Sequence, residues 1–114
     1  MNTFDIIIKN GMVVDGTGAK AKRADVGVRD GRISALDNLE KATAKITIDA
    51  SGKVVSPGFI DTHSHSDLCI FAEPYVAPKI RQGVTTEVIG QDGMSVVPIN
   101  DENLSSWMKA MESL

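Results

Sequence analysis

The chain has 114 residues, of which 42% are hydrophobic and 24% are charged, a balance typical of a folded globular domain rather than a disordered segment. Its net charge of -3 gives no reason to expect a nucleic acid or an anionic membrane as a partner. We find no signal-peptide pattern and no apolar run long enough to span a bilayer, and the single cysteine, Cys69, excludes an internal disulfide. We therefore expect a cytoplasmic protein.

Short apolar runs separated by glycine turns predict about six strands in the first half of the chain. The predicted strands are 4–9, 12–15, 24–29, 32–36, 45–49 and 53–55. Two dipeptides, Asn10-Gly11 and Asp30-Gly31, each predict a hairpin, because their residues tolerate positive φ. The even spacing predicts a small β-sandwich or open barrel, and we interpret this segment as structural because it contains no histidine or cysteine.

The pattern changes at Pro57, where a strand–helix–strand order begins. The predicted elements are a strand at 58–62, a short helix within 75–82 and a strand at 84–90. Pro78 favours a late start of this helix, and Gly83 favours its end. This order predicts two neighbouring parallel strands joined by a right-handed crossover.

Residues 100–114 predict a last helix that is capped by Asn100 or Asp101. Its apolar residues follow helical spacing, and we interpret them as a packing surface: Leu104, Trp107, Met108 and Met111. Two helices cannot cover both faces of a parallel sheet, so we expect the chain to be a fragment of a larger protein. A second copy of the chain could also cover the exposed apolar surface, which would make a homo-oligomer.

The segment PGFIDTHSHSD, residues 57–67, contains the only two histidines of the chain, His63 and His65. Side chains at i and i+2 of an extended strand point to the same side, so both imidazoles can face one point. Such a pair is suited to a transition metal. Two ligands do not complete a site, however, and two solvated histidines at a polar strand end are the alternative interpretation.

Asp92 follows the second predicted strand of the strand–helix–strand unit. Ligand-binding loops of parallel α/β folds lie at the carboxyl ends of the strands, where His63 and His65 also lie. We therefore predict a metal site formed by His63, His65 and Asp92. The alternative is that Asp92 is only a turn residue before Gly93.

The segment PGFIDTHSHSD resembles the first barrel-strand signature of the amidohydrolase superfamily, whose members are metal-dependent hydrolases built on a (β/α)8 barrel. Upstream, IIIKNGMVVDGTG and VGVRDGRISAL resemble the β-sandwich that flanks this barrel. HSHSD followed by APKIRQGVTTEVIGQDGMSVVPIN is similar to the D-aminoacylase branch, the N-acyl-D-amino-acid deacylases. The resemblance implies that 1–56 belong to a β-sandwich and that 57–114 begin a TIM-type barrel that stays incomplete in this chain.

The resemblance also implies the chemistry. One or two divalent metal ions, expected to be zinc, would activate water to hydrolyse the amide of an N-acyl-D-amino acid, a small-molecule substrate. His63 and His65 would hold a metal, with Asp92 as a further ligand, Asp61 as a supporting residue and Asp67 orienting an imidazole. The remaining ligands and the general-base aspartate are expected on later strands, so we expect the fragment alone to be inactive.

One position departs from the branch, whose members carry a cysteine ligand where this chain has Asp92. A carboxylate also binds zinc, so a site is still expected. Cys69 does not match that position, and we expect it to be a small buried residue. The alternatives are another amidohydrolase, either a cyclic-amide hydrolase or a deaminase, and a non-catalytic β-rich assembly module.

Overall fold

The computed structural model describes residues 3–70, 72–95 and 98–111, and it divides the chain into two units, 1–57 and 58–114. The first unit contains the strands β1 (Thr3–Lys9), β2 (Met12–Val13), β3 (Lys22–Arg23), β4 (Asp25–Arg29), β5 (Arg32–Asp37), β6 (Thr43–Asp49) and β7 (Val54–Val55). The second contains β8 (Phe59–Asp61), α1 (Ala77–Ile80), β9 (Val84–Glu87) and α2 (Leu104–Met111). The described residues form small sheets and no closed barrel.

The first unit is organised around β1, which has a partner on each side. A four-stranded sheet has the order β5-β4-β1-β6, in which β1 is antiparallel to β4 and parallel to β6. A second sheet has the order β3-β2-β7. The strand-rich character predicted for this segment is therefore confirmed, whereas the parallel pairing of β1 with β6 has no signal in the local pattern.

The two predicted hairpins have opposite outcomes. Asp30-Gly31 is confirmed: Arg29 pairs with Arg32 across the turn, and both turn residues have positive φ, 51° and 70°. Asn10-Gly11 is wrong as a hairpin, because β1 and β2 lie in different sheets.

At Asn10 the chain leaves the first sheet and enters the second, and two hydrogen bonds stabilise this change of direction. The Asn10 backbone N–H donates to Asp25 Oδ1 at 2.9 Å, and Asn10 Nδ2 donates to Asp49 Oδ1 at 2.9 Å. Asn10 has a φ of 65°, but Gly11 does not have a positive φ, so the dipeptide forms no two-residue hairpin turn and directs the chain into another sheet. At Gly11, a Cβ atom would lie 2.5 Å from Val55 Cγ2, which leaves no room for a side chain.

The core of the first unit is formed by Phe4, Ile7 and Leu39, and Ile7 is fully buried. Gly27 pairs with Ile7 across β4 and β1, and a Cβ atom there would lie 2.6 Å from Phe4 Cε1. A small residue at position 27 is thus what lets the Phe4 ring lie against β4. Packing at this density makes the core sensitive to changes in volume.

In the second unit, β8 and β9 pair in parallel, with Phe59 opposite Val84 and Asp61 opposite Glu87. The helix α1 lies between them in sequence, so the predicted parallel strand–helix–strand order is confirmed. The late helix start is also confirmed, because α1 begins at Ala77 and Pro78 lies in its first turn. Gly83 follows α1 with a φ of 83°, which favours glycine at this helix end.

Asn100 caps a turn that precedes α2, whereas α2 itself begins only at Leu104, later than predicted. The Asn100 Oδ1 atom accepts the backbone N–H groups of Glu102 at 3.1 Å and Asn103 at 3.0 Å. The predicted packing stripe is more solvent-exposed than expected, since Leu104 and Met108 are exposed while Trp107 is half-buried. Predicted helical residues 112–114 lie outside the described residues. Within the described ranges, no helix is long and apolar enough to cross a membrane.

We expect Ile7→Ala to lower the free energy of unfolding by about 2 to 5 kcal/mol, because it removes a fully buried side chain and leaves a cavity. Ile33→Ala is the matched control, since Ile33 is 66% exposed and its loss should cost under about 1 kcal/mol. Urea unfolding of both variants measures the difference, and equal losses would contradict this placement of the core.

Candidate metal centre

The three predicted site residues lie together in the second unit. His63 Nε2 is 3.0 Å from Asp92 Oδ2, and His65 Nε2 is 3.4 Å from the same oxygen. One ligand atom from each residue lies within 4.8 Å of the other two. The imidazole rings meet edge to face, with centroids 5.4 Å apart and an angle of 71° between their planes. The two rings therefore converge on the carboxylate and do not diverge into solvent.

Backbone hydrogen bonds beyond the two short strands bring these residues together. The Val88 N–H donates to the Asp61 carbonyl at 2.8 Å, and the Ser64 N–H donates to the Val88 carbonyl at 3.1 Å. The strand β8 itself ends at Asp61, so the histidines lie just beyond it rather than on a regular strand as the i, i+2 argument assumed. The hydrogen bonds nevertheless keep the segment with His63 beside the segment that leads to Asp92.

Asp92 lies in a tight turn, Gln91–Gly93, and has a left-handed backbone with φ 57° and ψ 23°. Aspartate tolerates this conformation better than most residues do. Gln91 anchors the turn, because its Nε2 atom lies 3.4 Å from the carbonyl oxygens of Thr62 and Val88. Asp92 is thus both a turn residue and a carboxylate that reaches the two histidines, so the alternatives from the sequence are not exclusive.

The donor set is chemically suited to zinc. Imidazole nitrogens and carboxylate oxygens are both zinc ligands, and three protein ligands with an open position are typical of catalytic zinc sites. His63 and Asp92 are exposed and His65 is half-buried, so an ion could reach them from solvent. The 3.0 Å contact between His63 Nε2 and Asp92 Oδ2 is a hydrogen bond when the nitrogen carries a proton, and a metal ion would replace that proton.

A network of charged residues adjoins this site. The Asp61 Oδ1 atom accepts the backbone N–H of His63 at 3.1 Å, which is the supporting role predicted for Asp61. Lys79 donates from Nζ to Asp61 Oδ2, lies 3.2 Å from Glu87 Oε1 and lies 3.5 Å from Ser64 Oγ. Its contact with Glu87 is an ion pair without hydrogen-bond geometry, since Glu87 Oε1 has no hydrogen-bond partner among the described residues.

These contacts shift the pKa values of the charged groups. The hydrogen bond from Lys79 is the main cause that lowers the pKa of Asp61, and the two carboxylates, Asp61 first, raise the pKa of Lys79. A hydrogen bond from Ser66 and the ion pair with Lys79 lower the pKa of Glu87, against a partial desolvation that raises it. All three groups are therefore held in their charged forms.

The sequence did not single out Lys79. The available signal was a helix between two parallel strands that each end in a carboxylate, Asp61 and Glu87, because a lysine on that helix can reach both. Helical periodicity assigns Lys79 only to a polar face, and the strand pairing that brings the carboxylates together is not visible locally.

Two further predictions about this region are wrong. Asp67 is buried, yet neither of its carboxylate oxygens has a hydrogen-bond partner among the described residues, so it does not orient an imidazole. Cys69 was expected to be buried, but it is exposed, with Sγ 3.6 Å from the Ser66 carbonyl. Asp67 lies in a short helical turn, Ser66–Leu68, and Cys69 directly follows that turn, which strand periodicity does not describe.

The sequence model of the amidohydrolase family matches residues 46–111, which include all three site residues. The chain belongs to the amidohydrolase family. The resemblance to this family and to its D-aminoacylase branch, predicted from the histidine segment and the QGVTTEVIG segment, is confirmed.

Several curated relatives and solved structures that match this chain lie in the D-aminoacylase branch. D-aminoacylase from Alcaligenes xylosoxydans xylosoxydans is 44% identical over 100 residues, which cover 88% of this chain and 21% of that enzyme. The crystal structure of N-acyl-D-glutamate deacylase from Bordetella bronchiseptica, complexed with zinc and a phosphonate that mimics the tetrahedral intermediate, matches with a TM-score of 0.80 and 46% identity over 86% of this chain and 21% of that chain.

A D-aminoacylase structure from work on its binuclear metal centre, with one-metal activation and second-metal attenuation, matches with a TM-score of 0.79 and 50% identity. The matched region covers 84% of this chain and 20% of that chain. The chain thus spans about a fifth of the length of the relatives that it matches.

We expect Glu87→Gln to destabilise the chain near neutral pH and to have no effect in acid. Because the pKa of Glu87 is lower in the folded chain than in the unfolded chain, its contribution is present above the ordinary carboxyl range and is lost as the pH falls through the lowered value. Urea unfolding of both proteins between about pH 7 and about pH 3 measures this convergence. Glu73→Gln, an exposed glutamate of the same unit, is the control, and a difference that is constant across the pH range would contradict the assignment.

Proposed function

We propose that this chain is part of a metal-dependent hydrolase that cleaves the amide bond of N-acyl-D-amino acids, and that His63, His65 and Asp92 hold a zinc ion in it. The observation that carries the proposal is the convergence of two imidazole Nε2 atoms on one carboxylate oxygen beyond the ends of two parallel strands. Ligand sites of parallel α/β folds lie at that end of the sheet.

The proposed fold of the whole protein follows from the same branch of the family. Residues 1–56 are assigned to a β-sandwich, and residues 57–114 to the first strand–helix–strand of a (β/α)8 barrel and the helix that follows. Since the chain spans about a fifth of its relatives, the proposed activity belongs to a protein of their full length. We propose that this protein is cytoplasmic, and that the chain by itself binds metal without hydrolysing substrate.

The identity of the proposed metal rests on the donor set and on the relatives. Two neutral imidazoles and a carboxylate are a zinc-type set, and one deacylase of this branch was solved with zinc. When bound, zinc polarises a substrate carbonyl and lowers the pKa of its bound water toward neutrality. Asp92 takes the position of the cysteine ligand expected from the branch, so an oxygen donor replaces a sulfur donor in the proposed site.

The roles of the chain's own residues follow from their contacts. His63 and His65 present Nε2 to the ion, and Asp92 supplies an oxygen from the neighbouring turn. The Asp61 carboxylate fixes the backbone at His63 by accepting a hydrogen bond from the His63 N–H. In the proposed reaction, water oxygen adds to the acyl carbon and the carbon–nitrogen bond breaks. The products are a carboxylate and a free D-amino acid.

The metal assignment predicts zinc binding that depends on the histidines. We expect zinc to bind the chain at a single site of three protein ligands, and the double variant His63→Ala, His65→Ala to abolish that binding. Competition with a colorimetric chelator measures the affinity. Asp101→Ala removes an exposed carboxylate from the same unit and serves as the control, which should bind as the unaltered chain does. Equal weak binding by the double variant and the unaltered chain would favour a non-catalytic module.

The substrate assignment predicts hydrolysis by the full-length protein that carries this chain. With zinc present, we expect release of free amine from N-acetyl-D-amino acids and little from their L-enantiomers. A cyclic amide serves as the substrate of the rival amidohydrolase class. Turnover of the cyclic amide without hydrolysis of any N-acyl-D-amino acid would overturn the proposed substrate and leave the metal site unaffected.

A further inference from the structure

Lys79 contacts both strands that lead to the candidate metal centre. Asp61 is the last residue of β8, Glu87 is the last residue of β9, and the two are paired in the β8–β9 register. Lys79 Nζ is bonded to the carboxylate of Asp61 and lies 3.2 Å from that of Glu87. One ammonium group therefore lies between two carboxylates and offsets their repulsion across the pair, which leaves the three groups with a net charge of about -1.

These three side chains are only partly accessible to solvent. The side chains of Lys79, Asp61 and Glu87 are 31%, 27% and 16% exposed, which makes their contacts less screened than those of a surface ion pair. Helix α1 supplies Lys79, so the network connects α1 to both strands. The three residues of the network thus belong to three separate elements, α1, β8 and β9.

The network continues to the histidines. The Asp61 Oδ2 atom is bonded to Lys79, while its Oδ1 atom accepts the His63 N–H. Lys79 Nζ also lies 3.5 Å from the hydroxyl of Ser64, the buried residue between the two histidines. Lys79 thus reaches the His63 backbone N–H through Asp61 and contacts the side chain of the next residue, Ser64. None of these contacts involves a proposed ligand atom.

We propose that Lys79 is a positioning residue for the metal centre: by holding Asp61 and Glu87 together, it sets the separation between the imidazoles and the Asp92 turn. This inference rests on the proposed function, because it takes His63, His65 and Asp92 as the ligands. Second-layer contacts that orient metal ligands commonly change metal affinity, and Lys79 acts one contact further out, through Asp61.

The first test needs no metal. In Lys79→Met, we expect the backbone amides of Ser64 and Val88, which link the two strand ends, to exchange hydrogen about threefold faster, the effect of one ion pair of moderate strength. Lys45→Met is the matched control, since it removes a lysine that pairs with Asp5 at 2.6 Å in the first unit. Unchanged exchange at Ser64 and Val88 in Lys79→Met would overturn the inference.

The second test uses zinc and cobalt. We expect Lys79→Met to weaken zinc binding by about tenfold and to change the absorption spectrum of the cobalt(II) form, which reports ligand geometry. Lys79→Arg restores a cation that can bond to two carboxylates, so it should recover most of the affinity and the spectrum. If Lys79→Met does not fold, as judged by circular dichroism, Lys79→Gln serves in the same comparison.

The outcomes separate the two proposals. Equal zinc affinity and equal cobalt spectra in Lys79→Met and the unaltered chain would overturn the positioning role, as would an equal loss in Lys45→Met. Zinc binding by the unaltered chain that does not depend on His63 and His65 would instead contradict the proposed function. In that case the exchange measurement still decides whether Lys79 links the strand ends.

Discussion

The parallel pairing of β8 with β9 is the constraint on which the candidate metal centre depends. The site residues come from two segments of the chain, and His63 and Asp92 are 29 positions apart in sequence. Neither segment contains a long helix. Hydrogen bonds between Val88 and Asp61 and between Ser64 and Val88 extend the pairing past the strand ends and bring the two segments together. The ion-pair network of Lys79 stabilises the same two strand ends from the side of α1.

The first unit is stabilised by a different means. It has a small aliphatic and aromatic core in which Ile7 is fully buried, and Gly27 leaves room for the Phe4 ring. The charged and amide side chains of this unit mostly stabilise turns, as Asp25 and Asp49 do around Asn10. This unit was expected to be structural from its lack of histidine and cysteine, and the metal-type cluster found among the described residues lies in the second unit.

Much of the candidate site could be predicted from the sequence, because its main signal is local. The spacing of His63 and His65 is visible in three residues, and the position of Asp92 follows from the strand–helix–strand order. The network around Lys79 could not be predicted in this way, since it requires knowledge of which strand residues lie opposite each other. Asn10-Gly11 illustrates the same limit: only Asn10 has the positive φ that the hairpin requires, and β1 pairs with β4 and β6 instead of β2. Cys69 and Asp67 were misjudged because a helical turn interrupts the periodicity after the histidines.

The backbone of Asp92 narrows the choice of amino acid at a proposed metal-binding position. A residue there must supply an anionic donor and also accept a left-handed conformation, which costs most side chains about 1 to 2 kcal/mol. Glutamate and cysteine meet the first requirement and pay that cost, whereas asparagine and glycine meet the second and lack the charge. Aspartate meets both, so in this loop the geometry of the main chain and the chemistry of the ligand select the same residue.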